Sequence, residues 1–302
     1  MNHEDGTRLG VGVVGCGRVG AVMGAALRGA GHALVGVTAT SQASRDRAEA
    51  MLPEVPVLDV ETVVERAELV LLTVPDDELP GLVQGLADLG GFHPGQIVLH
   101  CAGRYGTEVL QPAVARGAIP IALHPALTFT GTSIDLSRLH EATVAVTAPR
   151  AVMPIGQALV VEIGAEPVVV AEGDRVLYHT ALSHASNHTV TVLSQAIDML
   201  RSMGVEDPSR VLGALVHASV GNVLQSGASA LTGPVSRGDV STVEAHVAGL
   251  GEYSTQVGST ETFDTYAALA RATAGRALAT GTIHEETVAR ILDALEKDRT
   301  TD

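Results

Sequence analysis

The 302-residue sequence contains a single lysine, Lys297, near its end. Any mechanism that needs a lysine acid, base or Schiff base elsewhere in the chain is therefore excluded. Cysteine is almost as scarce: Cys16 and Cys101 are too few for a disulfide framework. Both fall where apolar runs read as strand ends within one core, so a reducing compartment, the cytoplasm, is expected. Positive charge is short as well, with 19 Lys and Arg against 34 Asp and Glu and a net charge of -15. That balance argues against nucleic acid or an anionic membrane as partner, since both require a basic face. Any anion must be held by a local cluster. The opening MNHEDGTR is acidic and polar and has neither the basic stretch nor the apolar core of a secretory signal. The longest apolar-looking stretch, 176–200, is broken by His, Ser and Asn and does not read as a membrane span.

What is present suits a folded enzyme-sized protein: 46% of residues are hydrophobic, and the length predicts about two domains. Residues 9–14 are an apolar run ending in glycine, 19–27 carry helical spacing, and 33–37 are apolar again, which is a βαβ unit. The alternation continues, with helices near 60–66, 79–89 and 109–116 leading to strands 69–74, 97–101 and 119–123. Near-continuous apolar strands alternating with helices imply an α/β fold, a Rossmann-like parallel sheet with helices on both faces. A strand at 142–146, a helix at 151–163 and a strand at 167–170 are expected to extend it. Beyond 172 the strand pattern stops, and helices are predicted over 175–203, 209–224, 242–250, 261–280 and 285–297. The expected domains are thus 1–171, dinucleotide-binding, and 172–302, an all-α domain for substrate and dimerisation.

Gly15-Cys16-Gly17-Arg18-Val19-Gly20 directly follows the first strand and opens a helix, the context in which GxGxxG carries meaning. Gly15 permits the tight turn, Gly17 lets a pyrophosphate approach the backbone, and Gly20 allows close helix packing. An NAD site commonly places an acid about 20 residues on, at the end of the second strand, for the ribose 2′-hydroxyl. Residues 38–45 here contain Thr40, Ser41 and Arg45 and no carboxylate. Arg45, helped by Arg18, suits a 2′-phosphate, so NADP is expected over NAD; the alternative is that Arg45 and Arg47 are solvated helix charges. One charge-assisted hydrogen bond of about 1.5–3 kcal/mol would favour NADPH roughly tenfold to a hundredfold. The missing acid also speaks against an S-adenosylmethionine methyltransferase. Val74 and Pro75, where the third strand ends in TVPDDEL, are expected beside the cofactor.

Ligands of open parallel sheets bind outside the carboxyl ends of the strands. His100 and His124 close the fourth and fifth strands there. Either orients nicotinamide or substrate, or is a buried, hydrogen-bonded histidine. On the first long helix His179, Ser183 and Asn187 follow at four-residue steps, with His184 and His188 offset by one. A polar stripe on an apolar helix is satisfied by a ligand or by facing residues, because unpaired buried polar groups are costly. His184 and His188 have HxxxH spacing, but no neighbouring Glu or Cys completes a zinc set, so no metal is expected. Further on, Asp239 or Ser241 is expected to cap the helix near 242, with Ser241 and Glu244 as a capping box. Arg237, Thr242 and His246 share that segment, and Arg237 suits a substrate carboxylate.

Taken together, GVGVVGCGRVG, TVPDDEL, HPALTF, SHASNH and LTGPVSRGD resemble a bacterial family of Rossmann-like proteins whose helical C-terminal half is known only as a domain of unknown function, of the 2520 type. That family stands beside ketopantoate reductases, 3-hydroxyacid dehydrogenases and pyrroline-carboxylate reductases, which hold substrate between a Rossmann and a helical domain. In the first two, the helix after the sheet carries Lys-x-x-x-Asn, the lysine acting as general acid or base. The matching stretch here runs from Ser183 to Asn187, so the asparagine is kept and the lysine is not. A histidine titrating near neutrality is then expected as proton donor, with His184, His188, His124 and His246 as candidates. Ser183 and Asn187 are expected to hold the substrate oxygen, and Arg237 or Arg104 a carboxylate, with Asp239 and Thr242 close by. The resemblance implies an NADP(H)-dependent reductase of a small carbonyl or imine, a 2-oxo acid such as ketopantoate being the best specific guess. The alternatives are a dinucleotide-binding sensor or assembly protein without turnover, and a related enzyme using a deazaflavin. The apolar helical faces suggest a homodimer.

Overall fold

The computed structural model describes residues 8–296. Lys297 and the opening seven residues, on which two of the expectations rest, lie outside the described residues. The first half runs β1 (Gly10–Val14), α1 (Arg18–Gly29), β2 (Ala33–Val37), α2 (Gln42–Met51), α3 (Val60–Arg66), β3 (Leu69–Leu72), α4 (Leu79–Asp88) and β4 (Ile97–His100). It continues through α5 (Gln111–Val114), β5 (Ile119–Pro125), α6 (Ile134–Leu139), β6 (Thr143–Thr147), α7 (Met153–Glu162) and β7 (Glu166–Val169). The strands form one sheet in the order β2-β1-β3-β4-β5-β6-β7. All neighbours pair in parallel except β5 and β6, which are antiparallel. The expected Rossmann-like parallel sheet is thus present, with this one antiparallel pair inside it. The link from β5 to β6, residues 126–142, holds only the six-residue helix α6, whereas the link of similar length between the parallel pair β6 and β7 holds the ten-residue α7.

Strand residues alternate between two cores. Val11, Val13, Leu69, Leu71 and Leu99 face one layer with Met23, Leu27, Leu139 and Leu159 from α1, α6 and α7. Val14, Val70, Leu72 and Val98 face the other, with Val63, Val64, Val83 and Ala113 from α3, α4 and α5. The period-2 side-chain alternation of a strand thus buries both faces. Helix α2 begins with a capping box in which Ser41 and Ser44 each bond the other's backbone N–H.

The second half is helical: α8 (Arg175–Ser202), α9 (Pro208–Ser226), α10 (Pro234–Arg237), α11 (Val240–Val257), α12 (Glu261–Ala279) and α13 (Glu285–Glu296). Two compact units result, one ending at His184 and one beginning at Ala185, so the division falls inside α8. In the helical unit α10 to α13 enclose a core of Val243, Val247, Phe263, Ile291 and Leu295. Ala267, Ala270, Ala274 and Ala277 form the small-residue face of α12, which lets its neighbours approach closely. Asp239 caps α11 by accepting from the Thr242 N–H. Ser241 lies inside the helix and donates to Asp239 at 3.0 Å, so a capping box led by Ser241 does not form. Helix α9 differs from these: of its 19 residues only Pro208 is buried.

Candidate functional site

The glycine turn is held from both sides by threonines that follow strands. The Gly15 N–H donates to Thr38 Oγ1 at 2.8 Å, past β2, and the Gly15 carbonyl accepts from Thr73 Oγ1 at 2.6 Å, past β3. Gly15 itself sits at φ +96°. A Cβ on Gly20 would run into the Gly15 carbonyl, so α1 packs on the turn as closely as backbone allows. A Cβ on Gly17 would meet nothing within 4 Å. Helix α1 has no capping side chain and no acid in its first turn. Its leading N–H groups and the positive end of its dipole are therefore left for an external anion. These residues fit a dinucleotide diphosphate.

At the end of β2, Arg45 folds back and donates from Nη1 to the Thr40 carbonyl at 2.8 Å, while its side chain stays exposed. Thr40 and Ser41 are exposed beside it, and Arg18 is exposed at the head of α1. Past β3, Val74 packs on the second core and the Pro75 carbonyl starts the turn into α4 by accepting from the Glu78 and Leu79 N–H groups. Asp76 in that turn lies 3.7 Å from Arg104, whose guanidinium covers the Tyr105 ring at 4.5 Å. Arg104 therefore stands at the carboxyl edge of the sheet with an acidic neighbour.

His100 is fully buried. Nε2 bonds the Gly106 carbonyl at 2.7 Å and Nδ1 accepts from the Ala102 N–H at 3.1 Å. Neither nitrogen is left for nicotinamide; the ring shapes the loop 101–107 instead. Glu172 holds the far end of that loop, accepting from the Thr107 N–H at 2.7 Å and the Glu108 N–H at 3.2 Å.

His124 is placed differently. Its Nδ1 lies 3.1 Å from Tyr178 Oη on α8, and its ring stands edge-on to those of Tyr178 and His179 at 5.6 and 5.8 Å. Gly103 lies so near that a Cβ there would come within 2.9 Å of His124 Nε2. Burial, then the charges of His179, Arg175 and His100, press the His124 pKa down to about 4. Burial raises the Tyr178 phenol, and Arg175 opposes that rise. Arg175 is itself buried. Nε donates to Thr147 Oγ1 at 2.7 Å and Nη2 to the Ala122 and Ala145 carbonyls at 2.9 and 3.2 Å. Nη1 has no hydrogen-bond partner.

The buried His100 and the half-buried His124, both neutral, make acid costly. Burial also lowers His100 to about 4, below the ordinary imidazole value of 6.5. In the unfolded chain each binds a proton near 6.5, while in the folded chain each resists until about 4. Stability is therefore fully present above about pH 6.5 and falls as the pH drops toward 4, by up to about 3 kcal/mol per histidine. Urea midpoints measured from pH 7 to 4 should show this slope, and His124→Asn should flatten it. An equal slope in that variant would remove His124 as a cause.

The remaining expected residues lie on α8 and in the helical unit. Ser183 is half-buried on α8, and His184, Asn187 and His188 are exposed along it. Arg237 donates to the Thr232 carbonyl. Thr242 and Asp239 are bound to each other in the α11 cap, Oγ1 to Oδ2 at 2.7 Å. His246 Nδ1 lies 2.9 Å from Tyr266 Oη. Among the described residues no cluster of three or more His, Cys, Asp or Glu is placed to hold a metal, and no helix is long and apolar enough to cross a membrane. Sequence reasoning missed Thr38, Thr73, Glu172, Arg175 and Tyr178. The two threonines had a usable signal, since each directly follows an apolar strand.

The family model of a Rossmann-like domain matches residues 3–125, and that of a domain of unknown function, DUF2520, matches 142–273. No curated protein matches the chain. Among solved structures, a Bacteroides fragilis protein with a provisional NADP oxidoreductase assignment is 19% identical, with 89% of this chain and 98% of that one covered and a TM-score of 0.71. An imine reductase variant from Myxococcus stipitatus, in complex with NAD+, is 15% identical over 95% of this chain and all (100%) of that one, TM-score 0.59. A Plasmodium falciparum pyrroline carboxylate reductase with NADP bound is 10% identical over 91% and 97%, TM-score 0.55. At such identities the likeness is one of fold. The chain thus carries a Rossmann-like domain followed by a DUF2520 domain.

Proposed function

We propose that the chain is an NAD(P)-dependent oxidoreductase that moves a hydride to or from a small carbonyl or imine. The observation that carries this reading is the glycine turn, open at Gly17 and uncapped at α1, at the carboxyl edge of a Rossmann-like sheet. The fold shared with the imine and pyrroline carboxylate reductases supports it. NADP is favoured over NAD because residues 38–45 offer Thr40, Ser41 and Arg45 and no carboxylate. The nicotinamide supplies the hydride; the chain must supply a proton.

His124 and Tyr178 suit that task. With the phenol donating to Nδ1, the neutral imidazole carries its proton on Nε2. As hydride reaches the carbonyl or imine carbon, Nε2–H gives its proton to the oxygen or nitrogen, and Tyr178 passes its own to Nδ1. The resulting phenolate forms beside the Arg175 guanidinium, 5.9 Å from the ring centre. Arg104, in the loop past β4, suits a substrate carboxylate, so a 2-oxo acid such as ketopantoate belongs first in any substrate panel. A second reading, a dinucleotide-binding sensor or assembly protein, is favoured by the chain's one lysine being Lys297.

A homodimer in the cytoplasm completes the proposal. Helix α9 exposes Leu215 at 64%, Val223 at 49% and Leu224 at 81%. Most helical stability in proteins comes from packing of an apolar face, so a second copy is the expected cover for these side chains.

The test is a fluorescence titration with NADPH and NADH, then absorbance loss with 2-oxo acids and cyclic imines, on a sample sized by light scattering. NADPH should bind roughly tenfold to a hundredfold more tightly than NADH. Turnover supports the reductase, binding without turnover on any candidate supports the sensor, and absence of binding overturns both.

A further inference from the structure

We propose that Arg47, on the second turn of α2, is the charge that takes the diphosphate of a bound dinucleotide, and that the loop 126–133 is the second wall of that site. The inference rests on the reading of the glycine turn as a dinucleotide site. Arg47 comes from the same helix as Arg45 but is placed otherwise. Arg45 is exposed and bonded to its own strand end, whereas Arg47 is half-buried and reaches the turn itself, with Nη1 3.4 Å from the Cys16 carbonyl.

The loop from β5 to α6 fixes Arg47 from the other side. Gly131 sits at φ +81°, and a Cβ there would come within 2.8 Å of Arg47 Nε and 3.1 Å of Arg18 Cα. Only glycine lets the loop lie this flat on both arginines. The loop in turn is tied to Asp135, which has no exposed surface and accepts from the Thr130 and Gly131 N–H groups at 2.7 and 2.8 Å and from Thr130 Oγ1. Thr130 and Thr132 are bonded to each other at 2.8 Å, with Thr128, Thr130 and Thr132 at the surface.

Arg47 is thus held between two pieces of backbone, and among the described residues it has no ion pair, although the chain carries an excess of acid. A half-buried cation without a counter-ion is unfavourable by itself. Beside the uncapped N-terminus of α1 its field adds to that of the helix, and both point to the same bound anion. Arg45 is left with a separate task, the 2′-phosphate, which only NADP carries.

The test uses calorimetry with NADPH and with ADP-ribose, which has the diphosphate and lacks both the nicotinamide and the 2′-phosphate. Arg47→Met should weaken both ligands alike, about tenfold to a hundredfold, with a shallower salt dependence. Arg45→Met should weaken NADPH and spare ADP-ribose. Arg47→Lys, which keeps the charge, should recover part of the loss, and melting curves report whether each variant folds. Wild-type ADP-ribose affinity in Arg47→Met, or no recovery in Arg47→Lys over Arg47→Met, would overturn the assignment of Arg47 alone. Failure of the unmodified protein to bind either ligand would overturn the dinucleotide reading as well.

Discussion

Replacing Arg175 with methionine is expected to lower the melting temperature by roughly 6–20 °C, the largest effect of any single side chain in the sheet unit. Arg175 is 1% exposed and makes three hydrogen bonds, to Thr147 Oγ1 and to the carbonyls of Ala122 and Ala145. Those acceptors belong to the antiparallel pair β5 and β6. Methionine fills much of the volume and removes the cost of burying a cation without a carboxylate. It removes one of the hydrogen bonds accepted by each of two strand carbonyls and a hydroxyl, all made to a charged donor and each contributing about 1.5–3 kcal/mol. The loss should win, because three such bonds lost at once outweigh the relief of the buried charge, leaving a net cost of about 3–5 kcal/mol. Circular dichroism melting is the measurement. A drop of under about 2 °C would mean that water replaces the guanidinium at no net cost. Arg175→Lys should fall between, since one ammonium cannot span all three acceptors.

The second large effect is on binding and leaves the fold intact. Gly17→Val should reduce NADPH affinity a hundredfold or more, about 2.7 kcal/mol or above, with the melting temperature unchanged. At Gly17 the backbone has an ordinary φ of -74° and nothing lies within 4 Å of a Cβ, so the folded chain accommodates the side chain. The added methyl groups then occupy the space through which a diphosphate approaches the first turn of α1. Gly20→Ala should behave in the opposite way. Its Cβ would collide with the Gly15 carbonyl and Thr73 Oγ1, so stability falls before any ligand is added. Equal NADPH binding by Gly17→Val and the unmodified protein would sink the dinucleotide site itself.

The contrast between these two glycines marks how far the residues could be read in advance. Strand, turn and helix of the first βαβ unit are local in sequence, and the roles of Gly15, Gly17 and Gly20 follow from spacing alone. The extents of β2 and α3 agree with the apolar patterns at 33–37 and 60–66. Helix α6 and the direction of β6 escaped such reading. A six-residue helix carries under two turns of periodicity, and strand direction is set by how the link packs on the sheet rather than by the strand's own residues.

The candidate site divides in the same way. Arg45 was legible as a cation after β2, but the placing of Arg47 against Gly131 depends on a loop about 80 positions further along. His124 was legible as a strand-end histidine; Tyr178, its hydrogen-bond partner 54 residues away, was not.

The sequence by itself determined the class of the fold, the glycine turn after the first strand, the scarcity of lysine and the change from sheet to helices, because each is written in periodicity, local spacing or composition. Only the tertiary structure decided which histidine stays buried with both nitrogens engaged and which meets a tyrosine, and which arginine is locked beside the turn. Those outcomes depend on contacts between residues far apart in the chain, where packing and the cost of leaving a buried polar group unpaired select among partners that no local pattern distinguishes.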